Sequence, residues 1–259
     1  MGAGVILGRS VSGQDLVLDP FAAAHTLLTG RTRSGKSVQL YSMLAQLKDL
    51  PVKVCGIDPS GIVFNALGDD LGGADWRVLT LRDPARAKQV MGEIVEEMDK
   101  RIALLLSERL DKFSRFTSNF PLIVVLLEEY PGTLSALASL DQASGAKVAD
   151  RAETALRSAV QRLALEGAKV GVRLWLVAQR ADTALLTGVL RSQLTQRLTF
   201  STDADGLRML HEGITPEEIE QVQTFLPGQA LAEFTGSLPR TMYRADLIEY
   251  SELAEIYAT

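Results

Sequence analysis

The sequence predicts an α/β fold, a mostly parallel sheet with helices on both faces. Strand-like apolar runs alternate with helix-like segments along the 259 residues, and that order is typical of parallel sheets with right-handed crossovers. The run at 121–127 is continuously apolar, which suits a central parallel strand buried on both faces. Hydrophobic residues make up 46% of the chain and charged residues 23%, so a substantial core can form.

Composition and charge exclude several classes of protein. The single cysteine, Cys55, rules out an intramolecular disulfide. The two histidines, His25 and His211, lie far apart without cysteine partners, so no zinc-binding spacing exists. The net charge of −5 argues against a surface that is basic all over, but it leaves a DNA partner open because basic residues can be confined to one channel. With no apolar stretch of about 18 residues and no signal peptide, we expect a cytoplasmic protein without membrane contact of its own.

The first half of the chain contains the clearest helix start. Asp83 is a good N-cap, and Pro84 suits the first helical position. The Gly- and Asp-rich stretch at 59–74 indicates a loop. The elements predicted here are a hairpin or edge strand in residues 1–20, strands at about 24–29, 52–57 and 76–81, and helices at about 36–48 and 83–108.

The second half continues the alternation. A small-residue loop is expected at 141–148. The strands predicted here lie at 121–127, 172–178, 196–200, 229–234 and 240–245, and the helices at about 149–168, near 183–189, from 203, from 216 and at the chain end. We therefore expect a single domain over residues 1–259, with a core at 24–245 and a C-terminal helix within 246–259.

A complete G-x-x-x-x-G-K-S motif occupies residues 30–37, between a predicted strand and a predicted helix. This phosphate-binding loop predicts an ATP site, because its N–H groups and the helix N-terminus present positive partial charge to phosphate. Lys36 can reach the β- and γ-phosphate oxygens, and the Ser37 hydroxyl can ligate Mg²⁺. The residues expected to hold the nucleotide are Gly30, Arg31, Thr32, Arg33, Ser34, Gly35, Lys36, Ser37 and Val38.

Three polar residues at strand ends could complete the site. Glu128 and Glu129 end the most apolar strand, where the first would support Mg²⁺ and the second would polarise the attacking water. The alternative is a solvated acidic pair. Gln179 ends the next core strand and could contact the γ-phosphate, or it could make an ordinary strand-end hydrogen bond. Two strand-like segments, 52–57 and 76–81, separate the loop from the Glu pair, which suits motor ATPases better than small-molecule kinases.

Several segments together resemble the FtsK/SpoIIIE-type double-stranded DNA translocases, including actinobacterial plasmid-transfer and phage or integrative-element relatives. The resemblance covers about residues 24–245. The segments that carry it are 25–30, 35–38, 57–59, 97–101 (E-M-D-K-R), 128–129, 145–148 (G-A-K-V), 171–180 and 196–200 (Q-R-L-T-F).

This resemblance implies a RecA-like P-loop NTPase of the ASCE type that forms a homohexameric ring and moves duplex DNA on ATP hydrolysis. A neighbouring subunit's arginine completes the site in such rings. Arg197 is the first candidate for that trans-acting residue and Arg162 the second, with a structural ion pair as the alternative for either. A full-length relative can be membrane-anchored through another segment.

The pore contacts implied by the resemblance come from loops near 109–118 and 141–148. Contacts to the phosphate backbone rather than to bases suit a motor that moves over any sequence. The alternative is a solvated charge run. The candidate residues for DNA binding are Lys112, Ser114, Arg115, Ser144 and Lys147.

The chain departs from the family pattern at a few positions. Glu128 stands where the family has Asp, and Ala168 stands where it has an arginine. We therefore consider alternative functions in addition to that of an ATP-driven DNA translocase. These are a type IV secretion coupling or DNA-packaging ATPase, a nucleotide-dependent DNA-binding scaffold that hardly hydrolyses, and a small-molecule kinase.

Overall fold

The computed structural model of the chain describes residues 4–180 and 187–258. The strands in those residues are β1 Val5–Ser10, β2 Asp15–Leu18, β3 Thr26–Thr29, β4 Val52–Ile57, β5 Arg77–Val78, β6 Leu122–Leu127, β7 Val172–Ala178, β8 Gln196–Phe200, β9 Gln229–Phe234 and β10 Leu238–Ala245. The helices there are α1 Lys36–Ala45, α2 Ile62–Leu67, α3 Pro84–Ser107, α4 Tyr130–Ala143, α5 Ala152–Glu166, α6 Gly188–Gln193, α7 Ala204–Leu210, α8 Pro216–Gln223 and α9 Tyr250–Ala258.

The chain divides into two compact units. One comprises residues 1–50 and 177–259, and the other comprises residues 51–176. The single domain expected over residues 1–259 stays a prediction. Within 4–180 and 187–258, no helix is both long enough and apolar enough to cross a bilayer.

The unit at 51–176 contains a wholly parallel sheet. Its strand order is β7-β6-β4-β5. Every residue of β6 is buried, as expected for a strand covered on both faces. The start of α3 is also as predicted, because the Asp83 carboxylate accepts hydrogen bonds from the N–H groups of Ala85 and Arg86 at 3.1 and 3.3 Å.

The other unit contains a mixed sheet in the order β2-β1-β10-β9-β8-β3. Strands β3 and β8 are parallel, whereas the pairs from β8 outwards to β2 are antiparallel. The antiparallel pair of β1 and β2 confirms the hairpin expected in residues 1–20. The predicted α/β class is confirmed, with an antiparallel ladder built largely from the last two strands and the N-terminal hairpin.

Some predicted elements were wrong. Helix α2 lies in the expected loop at 59–74, because the Asp58 carboxylate caps it by accepting hydrogen bonds from Val63 N and Phe64 N. The strand expected at 76–81 is only the two-residue β5. Of the helix expected near 183–189, positions 183–186 lie outside the described residues, and α6 begins at Gly188.

Helix α4 was not predicted at all. It buries Tyr130, Leu134 and Leu137, which follow the i, i+4, i+7 spacing of one helical face. The helix reaches Ala143, so the loop expected at 141–148 begins later than the composition indicated. Small residues had marked 141–148 as a loop, but the apolar spacing at 130–137 was the better guide to a helix that extends to Ala143.

Candidate nucleotide-binding site

The phosphate-binding loop, residues 30–37, connects β3 to α1 as the motif requires. Gly30 has φ 147° and Gly35 has φ 110°, both in the region that favours glycine. A Cβ on Gly30 would lie 2.5 Å from Phe200 Cβ, and one on Gly35 would lie 2.7 Å from Gly228 N. Both glycines are therefore required by backbone conformation and by close packing.

Backbone hydrogen bonds fix the loop from three directions. Arg31 N donates to Ser201 O at 2.8 Å, just after β8, and Gly30 N donates to Ala178 O at 3.3 Å. Gly228 N donates to Ser34 O at 2.9 Å, from the turn before β9. This turn was not predicted from the sequence to contact the phosphate-binding loop. Its Pro-Gly pair signals a turn, but nothing local in the sequence shows what the turn packs against.

The Lys36 ammonium is held over the loop. The side chain is buried, and its Nζ donates to the carbonyls of Gly30 and Arg31, the latter at 3.0 Å. A buried ammonium needs such partners because desolvation without them is costly. Ser37 is exposed at the second residue of α1, at the end of the helix that favours negative charge.

A buried hydroxyl in the loop fits an anionic ligand. Ser34 is only 7% exposed, and its Oγ has no hydrogen-bond partner among the described residues. Leaving such a group unpaired costs roughly 1–3 kcal/mol, so its presence needs a reason. The loop thus combines a buried cation, an unpaired hydroxyl donor and a helix N-terminus, a donor set that fits phosphate.

Gln179 contacts the loop directly. Its Oε1 accepts a hydrogen bond from Thr32 Oγ1 at 3.1 Å. The two residues are 147 positions apart in sequence, and both belong to the unit that holds the loop. The contact gives Gln179 a route to sense changes in the loop, and its catalytic role stays a prediction.

The acidic pair Glu128 and Glu129 occupies the corner between β6 and α4, in the unit at 51–176. Glu128 N donates to Ile57 O at 2.9 Å, which continues the parallel pairing. Glu129 has φ 44° and ψ 51°, a left-handed conformation that costs a non-glycine residue roughly 1–2 kcal/mol. Its carbonyl accepts from Thr133 N at 2.9 Å, in the first turn of α4. Strain held at a strand-to-helix corner is typical of functional sites, although the predicted roles in metal binding and water activation stay predictions.

The side chain of Arg197 is hydrogen-bonded to main-chain carbonyl groups. Its guanidinium donates to the carbonyls of Leu194, Arg191 and Leu210, the first two at 2.9 and 3.1 Å. Burial lowers the pKa of this guanidinium, and the charge of Glu233 opposes that effect. This arrangement favours a structural role for Arg197, and the trans-acting role stays a prediction.

Arg162, the second candidate, lies between two carboxylates. It donates to both oxygens of Asp99, at 2.7 and 3.2 Å, and to both oxygens of Glu166, at 2.9 and 3.2 Å. The hydrogen bonds to Glu166 and Asp99 raise the pKa of Arg162 above its usual value. A guanidinium with two bidentate partners is also better suited to structure than to reaching a neighbouring subunit.

The candidate DNA-binding residues are exposed, and three of them carry unengaged charge. The ammonium or guanidinium groups of Lys112, Arg115 and Lys147 form no ion pair within residues 4–180 and 187–258, whereas Ser144 Oγ donates to Asp141 O at 3.1 Å. Ser114 is likewise exposed. Their contact with DNA stays a prediction.

The aromatic residues beside these charges pack among themselves. The Phe120 ring lies 5.0 Å from the Phe113 ring and is stacked 6.4 Å from the Phe116 ring. The buried Arg101 guanidinium lies 4.4 Å from the Phe120 ring centroid. The aromatic cluster therefore fixes the loop that presents Lys112 and Arg115, rather than offering stacking surfaces for bases.

The sheet topology and the phosphate-binding loop together define a P-loop ATPase fold. Solved structures with the same fold support this assignment. The conjugation coupling protein TcpA of pCW3, solved as a monomer with ATPγS, has a TM-score of 0.74 at 20% identity, covering 100% of this chain and 70% of that one. The cytoplasmic domain of the type VII secretion ATPase EccC from Thermomonospora curvata has a TM-score of 0.70 at 20% identity, covering 99% of this chain and 30% of that one. At these identities the likeness concerns the fold.

Sequence relatives narrow the class. The sequence model of the FtsK/SpoIIIE family matches residues 3–124. The DNA translocase FtsK of Treponema pallidum is 30% identical over 210 residues, 76% of this chain and 24% of the relative. The DNA translocase SpoIIIE of Bacillus subtilis is 26% identical over 216 residues, 76% of this chain and 25% of the relative. The chain is thus similar over about three quarters of its length to the FtsK/SpoIIIE family that its motifs predicted, and it spans about a quarter of the length of these relatives.

Proposed function

We propose that this chain is an ATP-hydrolysing motor that moves double-stranded DNA. The observation that carries the proposal is the complete phosphate-binding loop, held by backbone hydrogen bonds in an FtsK/SpoIIIE-type domain. The sequence relatives are named DNA translocases, and the similar TcpA structure contains ATPγS. These names support the proposal for a domain of this type.

In this proposal each residue of the site has one task. The loop N–H groups and Lys36 hold the β- and γ-phosphates. Ser37 and Glu128 would hold Mg²⁺, which would neutralise phosphate charge. Glu129 accepts a hydrogen bond from the attacking water. The water oxygen bonds to the γ-phosphorus, the bond to the β,γ-bridging oxygen breaks, and ADP, inorganic phosphate and one proton leave. Gln179 responds to the loss of the γ-phosphate and transmits this change to Thr32 through their hydrogen bond.

Movement of DNA also requires a ring of subunits and contacts to the phosphate backbone of the DNA. We infer a homohexamer in which a neighbouring arginine, Arg197 or Arg162, completes the site. The residues that would contact DNA are Lys112, Ser114, Arg115, Ser144 and Lys147. Because these contacts would be to phosphates, the affinity for DNA should fall with rising salt, by roughly 0.9 logarithmic units per tenfold salt for each neutralised phosphate.

The TcpA likeness favours one more specific setting, the transfer of plasmid DNA in conjugation. That protein is a conjugation coupling protein, and the similarity of fold covers the whole of this chain. The motor chemistry would be the same in this setting. Genes for a relaxase beside the gene for this chain would favour plasmid transfer over chromosome segregation, and capsid genes would favour packaging.

The test is the ATPase rate with and without duplex DNA, with particle size measured on the same samples. We expect DNA to stimulate turnover and Lys36→Ala to reduce it by more than about 100-fold, because Lys36 binds the transferred phosphate. Lys100→Ala, at an exposed lysine of α3, is the matched control and should keep full activity.

A Lys36→Ala variant as active as the parent would refute the proposal. Tight ATP binding with negligible turnover, even with DNA, would instead identify a nucleotide-dependent scaffold. The motivation for that alternative is Glu128 at the position where the family has Asp.

A further inference from the structure

Arg33 lies at the tip of the phosphate-binding loop in an unfavourable backbone conformation. Its φ is 64°, within the left-handed region that glycine adopts freely and other residues avoid. The side chain is exposed, and its guanidinium makes no hydrogen bond or ion pair within residues 4–180 and 187–258. A glycine would relieve the backbone strain, so the arginine side chain needs a reason of its own.

Hydrogen bonds hold the residues on either side of Arg33 and thereby fix its backbone in this conformation. Arg31 and Ser34 form a tight turn across it, with Ser34 N donating to Arg31 O at 3.2 Å. Thr32 is hydrogen-bonded to Gln179. The turn therefore presents a long cationic side chain from the same loop that carries Lys36.

A second positive charge near the phosphates would accelerate the proposed reaction. Charge spreads over the γ-phosphate oxygens and the leaving oxygen in the transition state, and an arginine commonly offsets it. Arg197 and Arg162 are the candidates expected from a neighbouring subunit. The first is engaged by three carbonyls and the second by two carboxylates. Arg33 is not engaged in this way.

We propose that Arg33 binds the terminal phosphate of a nucleoside triphosphate from within its own subunit. This inference rests on the proposed function of the same loop. The planar guanidinium can donate two parallel hydrogen bonds to γ-phosphate oxygens, which a diphosphate lacks. Arg33 thereby favours ATP over ADP and stabilises the transition state of hydrolysis.

The test compares Arg33→Gly, Arg33→Lys and the control Arg208→Ala, at an exposed arginine that forms an ion pair with Asp205. In Arg33→Gly we expect ATP affinity to fall about tenfold and kcat by at least that factor, with ADP affinity changed less than about twofold. Because glycine relieves the left-handed strain, the melting temperature should stay the same or rise. Arg33→Lys should recover part of the ATP affinity, since it restores the charge without the fork geometry.

Equal losses of ATP and ADP affinity, or a melting temperature lowered along with activity, would overturn the proposal in favour of a structural role. Full activity of Arg33→Gly beside an inactive Lys36→Ala would overturn the proposal and leave the ATPase function standing. A parent chain that binds neither nucleotide would overturn both.

Discussion

Alanine at position 35 would test how tightly the phosphate-binding loop is packed. Gly35 has φ 110°, and a left-handed backbone costs a residue with a Cβ roughly 1–2 kcal/mol. The new Cβ would also lie 2.7 Å from Gly228 N and 3.0 Å from Gly228 Cα, which are main-chain atoms and cannot rotate away. Forcing them apart costs roughly 1–3 kcal/mol. We therefore expect Gly35→Ala to lower the free energy of unfolding by about 2–5 kcal/mol.

The control is Gly13→Ala in the N-terminal hairpin of the same unit. Gly13 has φ 81°, but a Cβ there would meet nothing within 4 Å, so only backbone strain remains. Chemical denaturation should give a loss of about 1–2 kcal/mol for this variant. ATP binding, measured in parallel, should weaken in Gly35→Ala and stay unchanged in Gly13→Ala. If Gly35→Ala were as stable as Gly13→Ala, the close contact with Gly228 would not constrain the loop.

Two further predictions concern contacts of single carboxylates. Asp141→Ala should lower the free energy of unfolding by about 1–2 kcal/mol in chemical denaturation, because its carboxylate caps the first turn of α5 at 3.0 Å; a loss below about 0.5 kcal/mol would contradict this. The hydrogen bond and charge of Arg240 hold the pKa of Glu218 below its usual value of 4.5, against the opposing effect of burial, so its stabilising contribution is present above pH 4.5 and is lost as pH falls through the lower native pKa. Glu218→Gln should therefore flatten the acid side of the stability profile, whereas Glu217→Gln should leave it unchanged.

Local signals in the sequence predicted most of the fold and the centre of the site. The Asp83 cap, the apolar run of β6 and the glycines of the phosphate-binding loop act within a few residues of themselves, so their structure follows from local chemistry. Helix α4 shows the limit of reading composition. Its buried Tyr130, Leu134 and Leu137 carried a helical spacing, yet the small residues after them had indicated a loop.

Contacts between distant residues could not be predicted in the same way. Gln179 meets Thr32 across 147 positions, and Gly228 packs on Gly35 from the far end of the chain. The predicted arginines show the same limit, because Arg197 on strand β8 donates to the carbonyl of Leu210 on helix α7. Which donor is already paired depends on the packed neighbours, and a motif contains no information about them.

The sequence by itself determined that residues 30–37 form a phosphate-binding loop, because that loop needs only glycine backbone freedom, one lysine and one hydroxyl at fixed spacing. The tertiary structure decided which side chains remain available around it. Folding engages Arg197 and Arg162 with carbonyls and carboxylates and leaves Arg33 exposed. The physical reason is that each cationic side chain has only a few N–H groups with which to form hydrogen bonds. A cation paired within the folded chain is less available to a ligand, and only the packed structure shows which cations are paired.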